Sequence, residues 1–152
     1  MKGKVLKTKD VLPLGWKVSF DLNPYAVVGG FSSILHGTIN TDNRNYGDRT
    51  PAIWFLSGTT RMHMCSAING NRNYCFNTPT GLNLHETSNI VVQQILDPKD
   101  GKYHYKIFIN GKQVFSVINT RPQVFKNVKY YSGDPWYGPA KAKLTNFKLT
   151  TY

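Results

Sequence analysis

"YHYKIFINGKQVFSVI", residues 103–118, sets two runs of aromatic and β-branched residues on either side of Asn110-Gly111. Asn and Gly tolerate the positive φ that a two-residue type I′ turn needs at both central positions, so the stretch reads as a β-hairpin. The pattern extends outward in both directions. Upstream, residues 90–96 (IVVQQIL) run into the turn residues 97–101 (DPKDG), and residues 52–56 (AIWFL) form a continuous apolar run between Pro51 and Ser57-Gly58. Residues 16–22 (WKVSFDL) alternate cleanly, and residues 31–36 (FSSILH) follow Gly29-Gly30. Downstream, residues 124–131 and 144–149 complete a set of about ten or eleven short strands at regular spacing. No window repeats apolar residues at i, i+3, i+4 and i+7, so helices are not expected. The reading is an all-β, two-sheet antiparallel sandwich. Residues 40–50, rich in Asn, Asp and Gly, make the one long loop and the first place to look for function.

Both cysteines fall in a second Asn-Gly segment, "CSAINGNRNYC", residues 65–75. A loop centred on Gly70 sets Cys65 opposite Cys75, where Cβ atoms lie roughly 4.5–5.5 Å apart and a disulfide needs about 3.8 Å. A two-residue Asn69-Gly70 turn would instead shift the register by one and offset the sulfurs. Two buried thiols packing as small hydrophobes are the other reading. Zinc is disfavoured by the absence of C-x-x-C and of a third cysteine. The expectation is a Cys65–Cys75 disulfide, and with it an extracellular, secreted protein.

A chain of 152 residues has the size of one domain, residues 1–152, with no linker or repeat to divide it. It contains no apolar run long enough to cross a membrane as a helix. Its first ten residues, MKGKVLKTKD, lack the apolar stretch of a secretory leader, which a secreted form would already have shed. Nineteen Lys and Arg against eight Asp and Glu leave a net charge of +11. That excess favours polyanions, and it is concentrated at the two ends of the chain while the middle is nearly balanced. Lysines outnumber arginines fourteen to five, which suits diffuse attraction better than reading of a nucleic-acid sequence, and no nucleic-acid-binding motif is present.

Several segments carry a resemblance in combination: residues 16–20 (WKVSF), 33–36 (SILH), 51–55 (PAIWF), 107–112 (IFINGK), 128–137 (VKYYSGDPWY) and 144–149 (LTNFKL). Over nearly the whole chain their order resembles the laminin-G-like, concanavalin-A-like jelly rolls. It is similar in particular to secreted single-domain proteins of marine invertebrates, cnidarians among them. The resemblance implies a jelly-roll sandwich and an extracellular role in adhesion or glycan recognition. It also implies that the first and last strands lie side by side, gathering Lys2, Lys4 and Lys7 with Lys141, Lys143 and Lys148 into one basic strip.

Candidate sites follow from residue chemistry. Jelly-roll glycosidases use paired carboxylates, but this chain has a single glutamate, Glu86, and no G-x-S-x-G elbow. His36, His63, His85 and His104 show no metal-ligand spacing. A non-enzymatic protein is expected, needing no cofactor unless calcium. Laminin-G-like domains often hold a rim calcium, for which Asp42, Asn45, Asp48 and Asp134 are the available oxygen ligands, although Asp before Gly or Pro also simply forms turns. Trp16 and Trp54 sit in strand patterns and read as core. Trp136 and Tyr137, in the Pro- and Gly-flanked loop, are placed to stack on a sugar face, and the lysine strip to attract an acidic or sulfated glycan. The expected function is therefore lectin-like. An adhesion module for a protein partner stands second, and a polysaccharide-active enzyme third.

Overall fold

Strict alternation shapes the sheet at the centre of the fold. In β2 (Trp16–Pro24), Trp16, Val18, Phe20 and Leu22 are buried while Lys17, Ser19 and Asp21 are half-buried on the other face. In this computed structural model, which describes residues 2–152, ten further strands join it. They are β1 (Lys4–Leu12), β3 (Ser32–Thr38), β4 (Ala52–Phe55), β5 (Met62–Ile68) and β6 (Asn71–Asn77), then β7 (Ser88–Asp97), β8 (Lys102–Ile109), β9 (Lys112–Asn119), β10 (Phe125–Ser132) and β11 (Ala142–Thr151). One sheet runs β1-β10-β3-β4-β5-β6, the other β11-β2-β7-β8-β9, and every pairing is antiparallel. This is a jelly-roll sandwich, as the strand spacing led us to expect.

The inner faces close on one core. Phe20, Val92 and Ile107 from the five-stranded sheet meet Leu35, Ile53, Met64 and Tyr130 from the six-stranded sheet. Two polar links cross this core. The Tyr105 hydroxyl donates to Ser66 Oγ at 3.0 Å, and the Asn119 amide donates to Gln94 Oε1 at 2.7 Å and to the Ala67 carbonyl at 3.3 Å. Buried polar groups with partners in both sheets fix how the sheets are stacked.

Two expectations are corrected or refined by the topology. The first and last strands do not pair. β1 pairs β10 and β11 pairs β2, so the two ends form edge strands of opposite sheets. Phe147 of β11 packs on Tyr130 of β10, ring centroids 5.6 Å apart, so both edges border the same side of the sandwich. Lys2, Lys4 and Lys7 are exposed along one edge, Lys141, Lys143 and Lys148 along the other. Their place fits the way edge strands are guarded by lysine against further pairing.

The second point concerns the cysteines. Asn69 and Gly70 do form a two-residue turn, with φ of 56° and 77°, and Ile68 pairs Asn71. Yet Cys65 faces Cys75, because the register shifts between Ser66 and Ile68. Between the pairs Ile68–Asn71 and Ser66–Tyr74, β5 advances two residues and β6 three, so β6 carries a bulge at Arg72-Asn73. The bulge restores the alignment that the tight turn would have spoiled. The Cys65–Cys75 disulfide is formed, with Cα atoms 4.1 Å apart.

Candidate functional site

Over its middle strands β3, β4 and β5 the outer face of the six-stranded sheet is covered, unlike that of an ordinary solvated sandwich. All four residues of β4 are buried: Ile53 and Phe55 join the core, while Ala52 and Trp54 form a second apolar cluster with Cys65, Cys75 and Tyr137. The cover comes from two loops, the β3–β4 loop (residues 39–51) and the β10–β11 loop (residues 133–141).

Each loop is held by a buried carboxylate. Asp48 Oδ2 accepts from the Thr41 hydroxyl (2.6 Å) and from the N–H groups of Arg44 (2.9 Å) and Asn45 (2.8 Å). Asp134 Oδ1 accepts from the N–H groups of Trp136 (2.9 Å) and Tyr137 (2.8 Å). Burial pushes both carboxyls up, but these bonds, with His36 on Asp134, outweigh it and hold both below the usual carboxylate range. His36 ties the loops together beneath them. Its ring nitrogens face Asp134 Oδ2 at 2.9 Å and the Asp48 carbonyl at 2.8 Å, so one side chain bonds both loops.

Arg49 completes the cover. It donates from Nε to Asp42 Oδ1 (3.0 Å), from Nη1 to Asn73 Oδ1 (2.5 Å) and from Nη2 to the Tyr137 hydroxyl (3.4 Å), and Nη2 also lies 2.9 Å from Asp42 Oδ1. Its guanidinium carbon sits 4.5 Å from the Trp54 ring centroid, a cation–π contact. The Tyr137 ring meets Trp54 edge-on at 5.3 Å. Burial, then the charge of Asp42, raises the Tyr137 hydroxyl above its ordinary value, so it remains a donor at neutral pH.

These groups border a cavity of about 190 Å³, lined by Phe31, Arg49, Trp54, His63 and Tyr137. His63 is oriented by Asn77 Oδ1, 2.6 Å from Nδ1, and lies 5.3 Å from the Phe31 ring. The Trp54 indole N–H is buried with no partner among the described residues. The cavity is an apolar, aromatic seat with a few convergent donors, the composition typical of a small-molecule site.

Of the residues singled out from sequence, Tyr137 lines the cavity and Trp136 stands beside it, 40% exposed, its ring 5.2 Å from His36. The six end lysines lie on the sandwich edges. Asp42, Asp48 and Asp134 do not bring three carboxylates to one point among the described residues; they hold Arg49, the β3–β4 loop and His36 respectively. Sequence reasoning missed Arg49, His63, Phe31 and the place of Trp54 in the cavity wall.

No protein-family model matches the chain, and no match to a curated protein emerged. Solved structures do resemble it. A sheep galectin-11, in complex with glycerol, is 14% identical with a TM-score of 0.57, and 99% of each chain is covered. The carbohydrate-binding module CBM66 from Bacillus subtilis is 10% identical with a TM-score of 0.55, covering 96% of this chain and 78% of that one. A Trypanosoma rangeli sialidase is 12% identical with a TM-score of 0.63, but only 20% of that chain is covered. At these identities what is shared is the jelly-roll fold.

Proposed function

We propose that this protein is a lectin-like, non-catalytic carbohydrate-binding protein of the extracellular space that seats a sugar ring in the aromatic cavity over Trp54. The cavity carries the reading. An aromatic wall suits the C–H face of a pyranose, and the polar groups around it suit hydroxyls. Of the five guanidinium donors of Arg49, four are committed to Asp42, Asn73 and Tyr137, which leaves one Nη1 proton for a ligand.

The galectin and carbohydrate-binding-module neighbours support the sugar-binding class, and the disulfide supports an oxidising compartment. The absence of catalysis rests on the carboxylates: Asp42 is bound by Arg49, and Glu86 is exposed on the β6–β7 loop with Asn83 as its partner. An acidic or sulfated glycan is the finer class, drawn in by the excess of positive charge, and kinship with secreted invertebrate proteins belongs to the same proposal.

A glycan array tests the reading. The protein should bind at least one oligosaccharide class, and Tyr137→Ala should abolish that binding while the far-ultraviolet spectrum stays that of the parent. A chain that binds nothing on the array, or a Tyr137→Ala variant that binds as the parent does, would sink it.

A further inference from the structure

Four of the five arginines gather at one corner of the molecule. Arg44 in the β3–β4 loop and Arg72 in the β6 bulge line a second cavity of about 420 Å³, together with Tyr46, Gly70 and Asn73. Arg121, from the β9–β10 loop, lies against Gly70, where an added Cβ would stand 3.1 Å from Nη1. Arg49 lines the aromatic cavity and bonds Asn73 of this notch, so the two cavities adjoin.

The notch is electropositive by construction. Arg44, Arg72 and Arg121 are exposed and have no carboxylate partner among the described residues. The nearby Asp48 is buried and already accepts from Thr41, Arg44 and Asn45. The walls are held in place. The Tyr46 hydroxyl donates to the Arg121 carbonyl at 2.7 Å, the Asn69 N–H to Asn119 Oδ1 at 3.0 Å, and the Thr120 N–H to Asn69 Oδ1 at 2.7 Å. Guanidinium forks on fixed backbone match the paired oxygens of sulfate or carboxylate, which a lysine point charge does not.

We propose that this notch is an anion subsite, taking a sulfate ester or carboxylate of the same glycan whose ring fills the aromatic cavity; the proposal rests on the sugar-binding reading above. The anion is carried on a sugar because the adjoining cavity is a single aromatic seat. A nucleic-acid strand would need a succession of stacking platforms. Selectivity for acidic glycans thus comes from the middle of the chain, where the sequence is nearly balanced in charge, and not from its lysine-rich ends.

An array that prints each neutral oligosaccharide beside its O-sulfated form tests this, with the best pair then titrated by calorimetry. The parent should favour the sulfated member by about tenfold or more, as charge-assisted hydrogen bonds would give. Arg44→Gln with Arg72→Gln should erase the preference and leave affinity for the neutral member unchanged. Lys99→Gln with Lys102→Gln, the same loss of charge at the β7–β8 turn, should keep it. Restoring charge as Arg44→Lys with Arg72→Lys should recover only part.

A preference untouched by the arginine change, or reduced as much by the lysine change, overturns the notch and leaves the sugar seat standing. Equal binding of both members by the parent does the same. No binding of either member overturns both readings. A single-stranded oligonucleotide that competes as well as the sulfated glycan overturns the sugar as carrier of the anion.

Discussion

Trp54 shows how much one residue's reading depends on knowing both sides of a sheet. Its place in a continuous apolar run marked it as buried, and it is, at 2% exposure, but on the outer face of the sheet. The clue was present: an antiparallel sandwich strand that is apolar at every position must be covered on both sides. What the sequence did not hold was the identity of the cover, because Asp134 and Arg49 reach it from 80 residues and five residues away respectively. Of these, Asp134 carries the residue-scale prediction. Asp134 has its carboxyl held low, so its stabilisation is complete above the ordinary carboxylate value of 3.8 and is lost as pH falls below that toward the folded pKa. Thermal melts should therefore be flat from about pH 7 to 5 and fall below about pH 4. Asp134→Asn should lower stability at neutral pH by roughly 3 kcal/mol, since it strips the charge from a buried pair with His36, and should flatten the acid limb. An acid limb identical to the parent's would show that the pair contributes nothing.

At the scale of elements, most strands were legible, because turn residues and alternation are local signals. Residues 103–118 became β8 and β9 around Asn110-Gly111, where φ is 50° and 78°. β1 was harder to see, since an edge strand exposed on most of its length alternates weakly and its lysines mask Leu6 and Leu12. The β6 bulge was not legible at all; register is decided by pairing across the turn, and no residue in β6 announces an extra position. β6 is itself an edge strand, paired only to β5 and fastened by Cys65–Cys75, with a sequence separation of 10. Cross-linking so short a loop is worth roughly 2–3 kcal/mol. Cys65→Ala with Cys75→Ala should lower urea stability by about that amount and, because Arg72 and Asn73 ride on β6, should weaken sulfated-glycan binding as well. Gly37 illustrates a tighter constraint within β3. A Cβ there would meet the Tyr130 ring at 2.7 Å and the Thr50 carbonyl at 2.8 Å, so Gly37→Ala should destabilise by about 1–3 kcal/mol, read from the shift in urea midpoint.

For the molecule as a whole, the question is what a charge of +11 does when six of its lysines sit along the two strand edges and three of its arginines around one notch. The edge lysines act at a distance. Lys141→Glu with Lys143→Glu should slow association with an anionic glycan and reduce its salt dependence, while the exposed sites keep stability within about ±0.5 kcal/mol. An association rate that did not change at low salt would leave these lysines only as guards of the edge. Asp48 and Asp134 give their oxygens to N–H donors, so a calcium chelator is expected to leave the melting temperature unchanged; a drop would return them to the role of metal ligands. The bulge in β6 has one further consequence. A hairpin that closed without it would set Cys65 against Tyr74 and turn Cys75 to the opposite face, where the two sulfurs could not join. Oxidation therefore inspects the fold: a molecule that zipped one step out of line keeps two titratable thiols, and every such molecule in an oxidised preparation can be counted by mass after alkylation.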